Sequence, residues 1–123
     1  MIKTEHLSEV VFCRGDENVL EVSRILRDTN SRHLVVVDDE KKPIGIISCV
    51  DINNRVVSEE KDPKDIKAEE IMTKDIKCIE LEDTYEKAFE IMNQLETNSI
   101  PVTKDKKLIG LLEYAIAFKL RKW

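Results

Sequence analysis

The sequence predicts an α+β fold built from one unit used twice. Each unit runs strand, helix, strand, strand, helix, and the two copies pack about a pseudo-twofold axis. Three observations carry this. The chain repeats itself, each copy starts its helix with the same kind of polar signal, and each copy holds two apolar strands joined by a polar turn.

The repeat shows when the sequence is slid along itself. An offset of 66 places Asn18 on Thr84, Val22 on Ala88, Ile25 on Ile91, Leu26 on Met92, Leu34 on Ile100 and Val35 on Pro101. Beyond that point the offset is 65, setting Gly45 on Gly110, Ile46 on Leu111 and Ile47 on Leu112. One deletion in a turn explains the change: Asp38-Asp39-Glu40-Lys41-Lys42 in the first copy is matched by the shorter Lys104-Asp105-Lys106-Lys107, and surface turns tolerate such changes.

Each copy opens on a short strand, predicted at residues 10–13 and 76–79. A helix follows. Its start is marked by Asn18-Val19-Leu20-Glu21 and by Asp83-Thr84-Tyr85-Glu86, where a capping side chain stands three residues before a Glu and can satisfy free amides of the first turn. Val19, Val22, Ile25 and Leu26 then share one helix face in the first copy. Tyr85, Ala88, Phe89, Met92 and Leu95 do so in the second, and both stripes read as core. Two strands come next, at residues 34–37 with 44–48 and at 100–103 with 108–112. Leu34-Val35-Val36-Val37 is apolar without alternation, which suits a strand covered on both faces. A closing helix is predicted over 51–57 and over 114–122. The charged, Pro-containing run between the copies reads as a linker, followed by a short helix at 66–72. The expected organisation is residues 1–57 for the first copy, 58–70 for the linker and 71–123 for the second copy. A copy of this size buries little surface alone, so the two are expected to share a core and to leave clefts at their interface, where small molecules usually bind.

Composition narrows the function. With 123 residues, 41% hydrophobic and 37% charged, the chain is long enough for a real core. A net charge of −5 offers no general attraction for nucleic acid. No stretch approaches a membrane span or a signal core, so a cytoplasmic protein is expected. Cys13, Cys49 and Cys78 are odd in number and widely spaced, which argues against zinc or dithiol chemistry and for buried free thiols. The two His residues are isolated, and no Gly-rich phosphate loop, paired catalytic carboxylates or nucleophilic triad is present. No catalytic residue, metal or required cofactor is expected.

The second copy carries Ile71-Met72-Thr73 before its strand, then Ile100-Pro101-Val102 and Leu108-Ile109-Gly110-Leu111-Leu112; the first carries Leu34-Val35-Val36-Val37-Asp38 and Pro43 through Asp51. Taken together and twice, across nearly the whole chain, these resemble the tandem CBS repeats named after cystathionine β-synthase, in the stand-alone form known from prokaryotes, archaea included. The resemblance implies a regulatory module that binds an adenosine-containing ligand, AMP, ADP, ATP or S-adenosylmethionine, in the cleft between the repeats. In the family a Gly-apolar-apolar-Ser/Thr-x-x-Asp stretch holds the ligand's ribose, and Gly45 through Asp51 match it position by position. A carboxylate can accept from both ribose hydroxyls, with Ser48 adding a hydroxyl beside it. The same residues also suit purely structural roles, Asp51 capping its helix and Ser48 ending a strand. Arg32 and His33 stand where nucleotide-binding members carry a basic pair, which implies phosphate contact; a solvated surface pair is the alternative. Thr73 and Ile76 resemble positions that line the adenine pocket, or serve as plain strand-entry packing.

The second copy departs from the pattern: Ile116 stands where the ribose carboxylate should be, and Glu113 where the hydroxyl should be. The expectation is therefore one adenosine site per chain, centred on Ser48 and Asp51. Apolar helix faces, including Ile52, Val56, Ile116 and Leu120, are expected to be exposed and to make a homodimer. The signal would be read by an effector protein that the sequence does not identify. The competing expectation is a module that serves only dimerisation or partner docking, with no ligand.

Overall fold

A computed structural model describes residues 1–122. The chain forms two compact units, one made of Val11–Ile76 and the other of Met1–Val10 with the residues from Lys77 onward.

In the first unit, β1 (Phe12–Arg14) lies parallel to β2 (His33–Val37), which pairs antiparallel with β3 (Pro43–Ser48), giving a three-stranded sheet in the order β1-β2-β3. Between β1 and β2 runs α1 (Val19–Asp28), whose Asn18 side chain accepts from Glu21 N–H at 2.9 Å. Val19, Val22 and Leu26 of α1 pack on Leu34, Val36 and Ile47. Each such aliphatic side chain taken from water contributes about 1.5–3 kcal/mol. Leu34, Val35, Val36 and Val37 are all buried, so β2 is covered on both faces as its unbroken apolar run predicts. After β3 the chain forms one turn of α-helix, α2 (Cys49–Ile52), and then a wider π-helical turn, Asn53–Val57, closed by Ser58 N–H donating to Asn53 O at 2.8 Å. The predicted closing helix over 51–57 thus starts earlier and changes pitch.

Residues 66–76 form a strap over this unit. Val19 N–H donates to Ile66 O (2.8 Å), Ala68 N–H to Glu17 O (2.7 Å) and Glu69 N–H to Gly15 O (3.0 Å). The single turn α3 (Ala68–Ile71) is shorter than the helix expected at 66–72. Thr73 then pairs with Ile46 of β3 through two backbone bonds of 2.8 and 2.9 Å.

The second unit repeats this plan: β4 (Ile79–Glu80), α4 (Tyr85–Leu95), β5 (Ser99–Lys104), β6 (Lys107–Glu113) and α5 (Tyr114–Leu120), with sheet order β4-β5-β6. Its strap is the N-terminal segment. Ile2 is fully buried and its N–H donates to Leu81 O and Asp83 O, while Ser8 pairs with Leu111 as Thr73 does with Ile46. Tyr85 Oη accepts from Lys3 N–H at 3.0 Å and lies 2.6 Å from His6 Nδ1.

Several expectations need correction. The α4 cap is Thr84, whose side chain accepts from Lys87 N–H; Asp83 instead forms an i,i+4 ion pair with Lys87. The first strand of each copy starts two to three residues late. In the second unit Pro101 is the reason. Val35 N–H donates to Val11 O at 3.0 Å in the first unit, but Pro101 has no N–H to offer its counterpart, so β4 begins only at Ile79. Cys13 is buried and Cys78 half-buried, but Cys49 is exposed at the first position of α2. Val56 is buried rather than exposed, and Ile52, Ile116 and Leu120 are half-buried; the open apolar side chains on these segments are Val50, Val57 and Phe118. The one-residue offset change is a hairpin difference. Lys41 alone has positive φ in the first turn, where Asp38 N–H donates to Lys42 O at 3.0 Å across a loop of three residues, whereas Asp105 and Lys106 both do in the second, a two-residue loop between the paired Lys104 and Lys107.

Candidate functional site

Five of the six residues singled out by the sequence lie near one end of β2 and β3, all in the first unit. His33 and Ser48 are opposite one another in the strand register. Arg32 is tied in by its carbonyl, which accepts from Cys49 N–H at 2.9 Å. Thr73 reaches the neighbouring edge of β3 through its pairing with Ile46, two residues before Ser48. Ile76 is half-buried, its N–H donating to Lys74 O at 2.8 Å. Among the described residues no hydrogen bond ties it to the other five.

Ser48 and Asp51 form a reciprocal capping box. Ser48 Oγ accepts from Asp51 N–H at 3.2 Å, and Asp51 Oδ2 accepts from Ser48 N–H at 2.9 Å. The structural role and the proposed ligand role are therefore not exclusive. The box uses one carboxylate oxygen, fixes the side chain, and leaves Oδ1 with acceptor capacity. The Asp51 side chain is 16% exposed. A residue that the sequence reading missed completes the arrangement: Arg55 Nη2 lies 3.7 Å from Asp51 Oδ1, and its Nη1 donates to Ile71 O at 2.6 Å.

Arg32 and His33 are exposed, and among the described residues neither side chain has a hydrogen bond or ion pair. Arg14, Arg24, Arg27 and Arg55 each have a carboxylate partner. Among the described residues Arg32 is a planar fork of donors without one. Two concavities of this unit are lined by other residues. One of about 510 Å³ is lined by Arg14 and by Asp16, Asp38, Asp39, Glu40 and Glu69, an acidic wall unsuited to a phosphate. Another, of about 480 Å³, runs between α1 and α2 past Ser31, Cys49 and Asn53. In the second unit the box is gone: Glu113, exposed, occupies the cap position without a side-chain bond, and Ile116 joins the apolar cluster.

A family model described as CBS domain matches residues 5–58 and again residues 68–115. The chain belongs to the CBS-domain family. Among its relatives, inosine-5′-monophosphate dehydrogenase of Methanocaldococcus jannaschii is 28% identical over 118 residues, 95% of this chain and 23% of that protein. An uncharacterised protein of Methanopyrus kandleri is 29% identical over 105 residues, 85% of this chain and 54% of that protein. The chain thus spans from under a quarter to about half of these relatives' length. Among solved structures, the CBS domain pair of protein MJ0100, in complex with 5′-methylthioadenosine and S-adenosyl-L-methionine, superposes with a TM-score of 0.75 at 23% identity, covering 98% of this chain and 94% of that one. That likeness is one of fold. Among the described residues, no helix is long and apolar enough to cross a membrane.

Proposed function

We propose that this CBS pair is a regulatory ligand-sensing module, not an enzyme, that binds an adenosine-containing ligand through its first repeat. AMP, ADP, ATP and S-adenosylmethionine are the candidates. The observation that carries the reading is the Ser48–Asp51 box, a carboxylate held by its own helix start with one oxygen spare, next to which the Arg32 carbonyl accepts from Cys49 N–H while the exposed Arg32 guanidinium has no carboxylate partner among the described residues. A ribose needs acceptors for its hydroxyl hydrogens, and Asp51 Oδ1 supplies them. Arg32 supplies the counter-charge for a phosphate and His33 a further hydrogen-bond donor, and Thr73 and Ile76 the side towards the base. The complex of the MJ0100 pair with two adenosine-containing molecules supports the ligand class. One site per chain follows, because burying ribose hydroxyls against Ile116 would leave them unpaired at ~1–3 kcal/mol each.

The test is calorimetry with AMP, ADP, ATP, S-adenosylmethionine and adenosine, with inosine and guanosine counterparts as controls. Asp51→Asn is the cleaner variant, since its amide oxygen still accepts from Ser48 N–H while the charge for the ribose is lost; Asp51→Ala also removes half of the capping box. Binding by Asp51→Asn equal to the parent, or two equivalent sites per chain, refutes the assignment. Arg32→Ala should weaken AMP about tenfold or more and adenosine little, because only the phosphate carries a charge for it. Glu113→Ala should leave binding unchanged.

A second reading, a dimerisation or docking module, is favoured by Val50 and Val57, 63% and 64% exposed on adjoining turns. We take the two as compatible in a cytoplasmic homodimer that presents two sites to an effector protein. Light scattering at ~50 µM tests the dimer, since weak interfaces form at such concentrations; a monomer mass overturns it.

A further inference from the structure

We propose that Arg55 is a positioning residue that couples Asp51 to the strap, so that a ribose held at Asp51 and a docked strap favour one another. The inference deepens the ribose reading and rests on it for its ligand half.

The guanidinium is a rigid fork, and here its two tines meet different elements. Nη2 faces Asp51 Oδ1, one helical turn back, at 3.7 Å; Nη1 donates to Ile71 O at 2.6 Å. Ile71 ends α3, and the carbonyls of a helix's last turn have no partner within the helix. Arg55 satisfies one of them. It does so two residues before Thr73, where the strap joins β3. The wide turn over 53–57 carries Arg55, and Val56, almost fully buried, anchors that turn. Asp51 Oδ2 is already committed to Ser48 N–H, so Oδ1 is the atom that both Arg55 and a ribose would use. At 3.7 Å the arginine orients Oδ1 without filling it, and a hydroxyl adds to the arrangement instead of displacing it. By reciprocity, whatever fixes Asp51 fixes the fork and hence the strap, and a docked strap readies Asp51.

The second unit supplies the contrast. The residues equivalent to Asp51 and Arg55 are Ile116 and Leu120, both half-buried. The ion pair has been replaced as a pair, which is what a shared role predicts. Its strap, from Ile2 to Ser8, meets Tyr85 Oη of α4 through Lys3 N–H and His6 Nδ1.

Hydrogen exchange at the Ile46 and Thr73 amides, which bond the strap to β3, reads strap opening with no ligand present. Arg55→Met should speed exchange at both on the order of tenfold, as expected for a charge-assisted bond. Asp51→Asn should speed it several-fold, and the double variant no more than Arg55→Met alone. Arg55→Lys keeps a charge near Asp51 but cannot serve two partners, so AMP affinity should stay within about threefold while exchange remains fast. Arg55→Met should weaken AMP and adenosine by the same factor, on the order of tenfold, unlike Arg32→Ala. Wild-type exchange rates in Arg55→Met, or independent multiplication of the two single effects, overturns the coupling. Unequal loss of AMP and adenosine overturns the positioning role. If the exchange cycle behaves as expected and no adenosine compound binds the parent, the coupling stands and the ligand assignment falls.

Discussion

An alanine Cβ at position 45 would lie 2.6 Å from Met72 Sδ, 2.8 Å from Met72 Cγ and 2.9 Å from Thr73 O. The first two contacts can be relieved by rotating a flexible thioether. The third cannot, because Thr73 O is the acceptor for Ile46 N–H, and moving it stretches the bond that docks the strap. Gly45 has no left-handed φ, so what glycine supplies there is room, not conformational freedom. Overpacking of this kind costs ~1–3 kcal/mol, offset by ~0.4–1 kcal/mol from the stiffer unfolded chain, which leaves a net loss of about 1–2 kcal/mol. For a chain of this length that lowers Tm by roughly 4–8 °C. Gly110 is the internal control. Its added Cβ would meet Leu7 Cβ at 3.0 Å, Leu7 Cδ1 at 3.1 Å and Ser8 O at 3.2 Å, contacts that a shift of a few tenths of an ångström relieves. Gly110→Ala should therefore stay within ~1 kcal/mol of the parent. Thermal unfolding of both variants at one protein concentration decides the matter. Gly45→Ala melting at or above the parent, or Gly110→Ala falling further, would show that the strap is not what makes glycine necessary at position 45.

Thr84→Ala should cost about 1 kcal/mol and Asp83→Ala less than about half of that, because Thr84 caps α4 while Asp83 is in an exposed ion pair; chemical denaturation measures both. Lys106→Gly should stabilise the protein by ~0.5–1 kcal/mol, since Lys106 sits at φ 69° in the second loop, and an unchanged midpoint would count against the turn geometry. Burial, with Glu17 and Asp16 adding to it, pushes the Cys13 thiol from 9.0 up to about 12, and burial with Glu80 pushes Cys78 up to about 11. Folding thus favours the protonated thiols. Their contribution is complete below pH 9.0 and is lost as pH rises towards 12, so stability should fall across that window, and less steeply in Cys13→Ala. A thiol reagent applied at pH 8 to the native protein should label Cys49 alone, and labelling of Cys13 at the same rate would contradict its burial.

Much of the fold was legible because it is written twice. The hairpin difference could be placed from the offset change alone, since only a loop can lose a residue without turning every later side chain over. What misled was local ambiguity. Asp83 and Thr84 are both capping residues, and the Glu three places after Asp83 matched a capping box that the helix does not use. The late start of β4 follows from Pro101, whose missing donor matters only once its neighbour is known. Cys49 looked buried by residue type, yet it begins a helix at an open strand end. In the site, the Ser48–Asp51 spacing was readable as both cap and ligand group. The Asp51–Arg55 spacing, an i,i+4 acid–base pair, was an available signal that went unused. The bond from Arg55 to Ile71 O was not available, because no local pattern announces which carbonyl a distant arginine will reach.

The straps also set an order of events during synthesis. The first unit is continuous, so every partner it needs has been made once Ile76 has. The second unit is closed by a segment from the far side of the first in sequence, and Ser8 finds Leu111 only about a hundred residues later, a closure that costs entropy and slows folding. Ile2, destined for a fully buried position, must wait without its partners until Leu81 and Asp83 have been made. The first unit can thus be complete while the second is still an open chain holding an apolar segment in reserve.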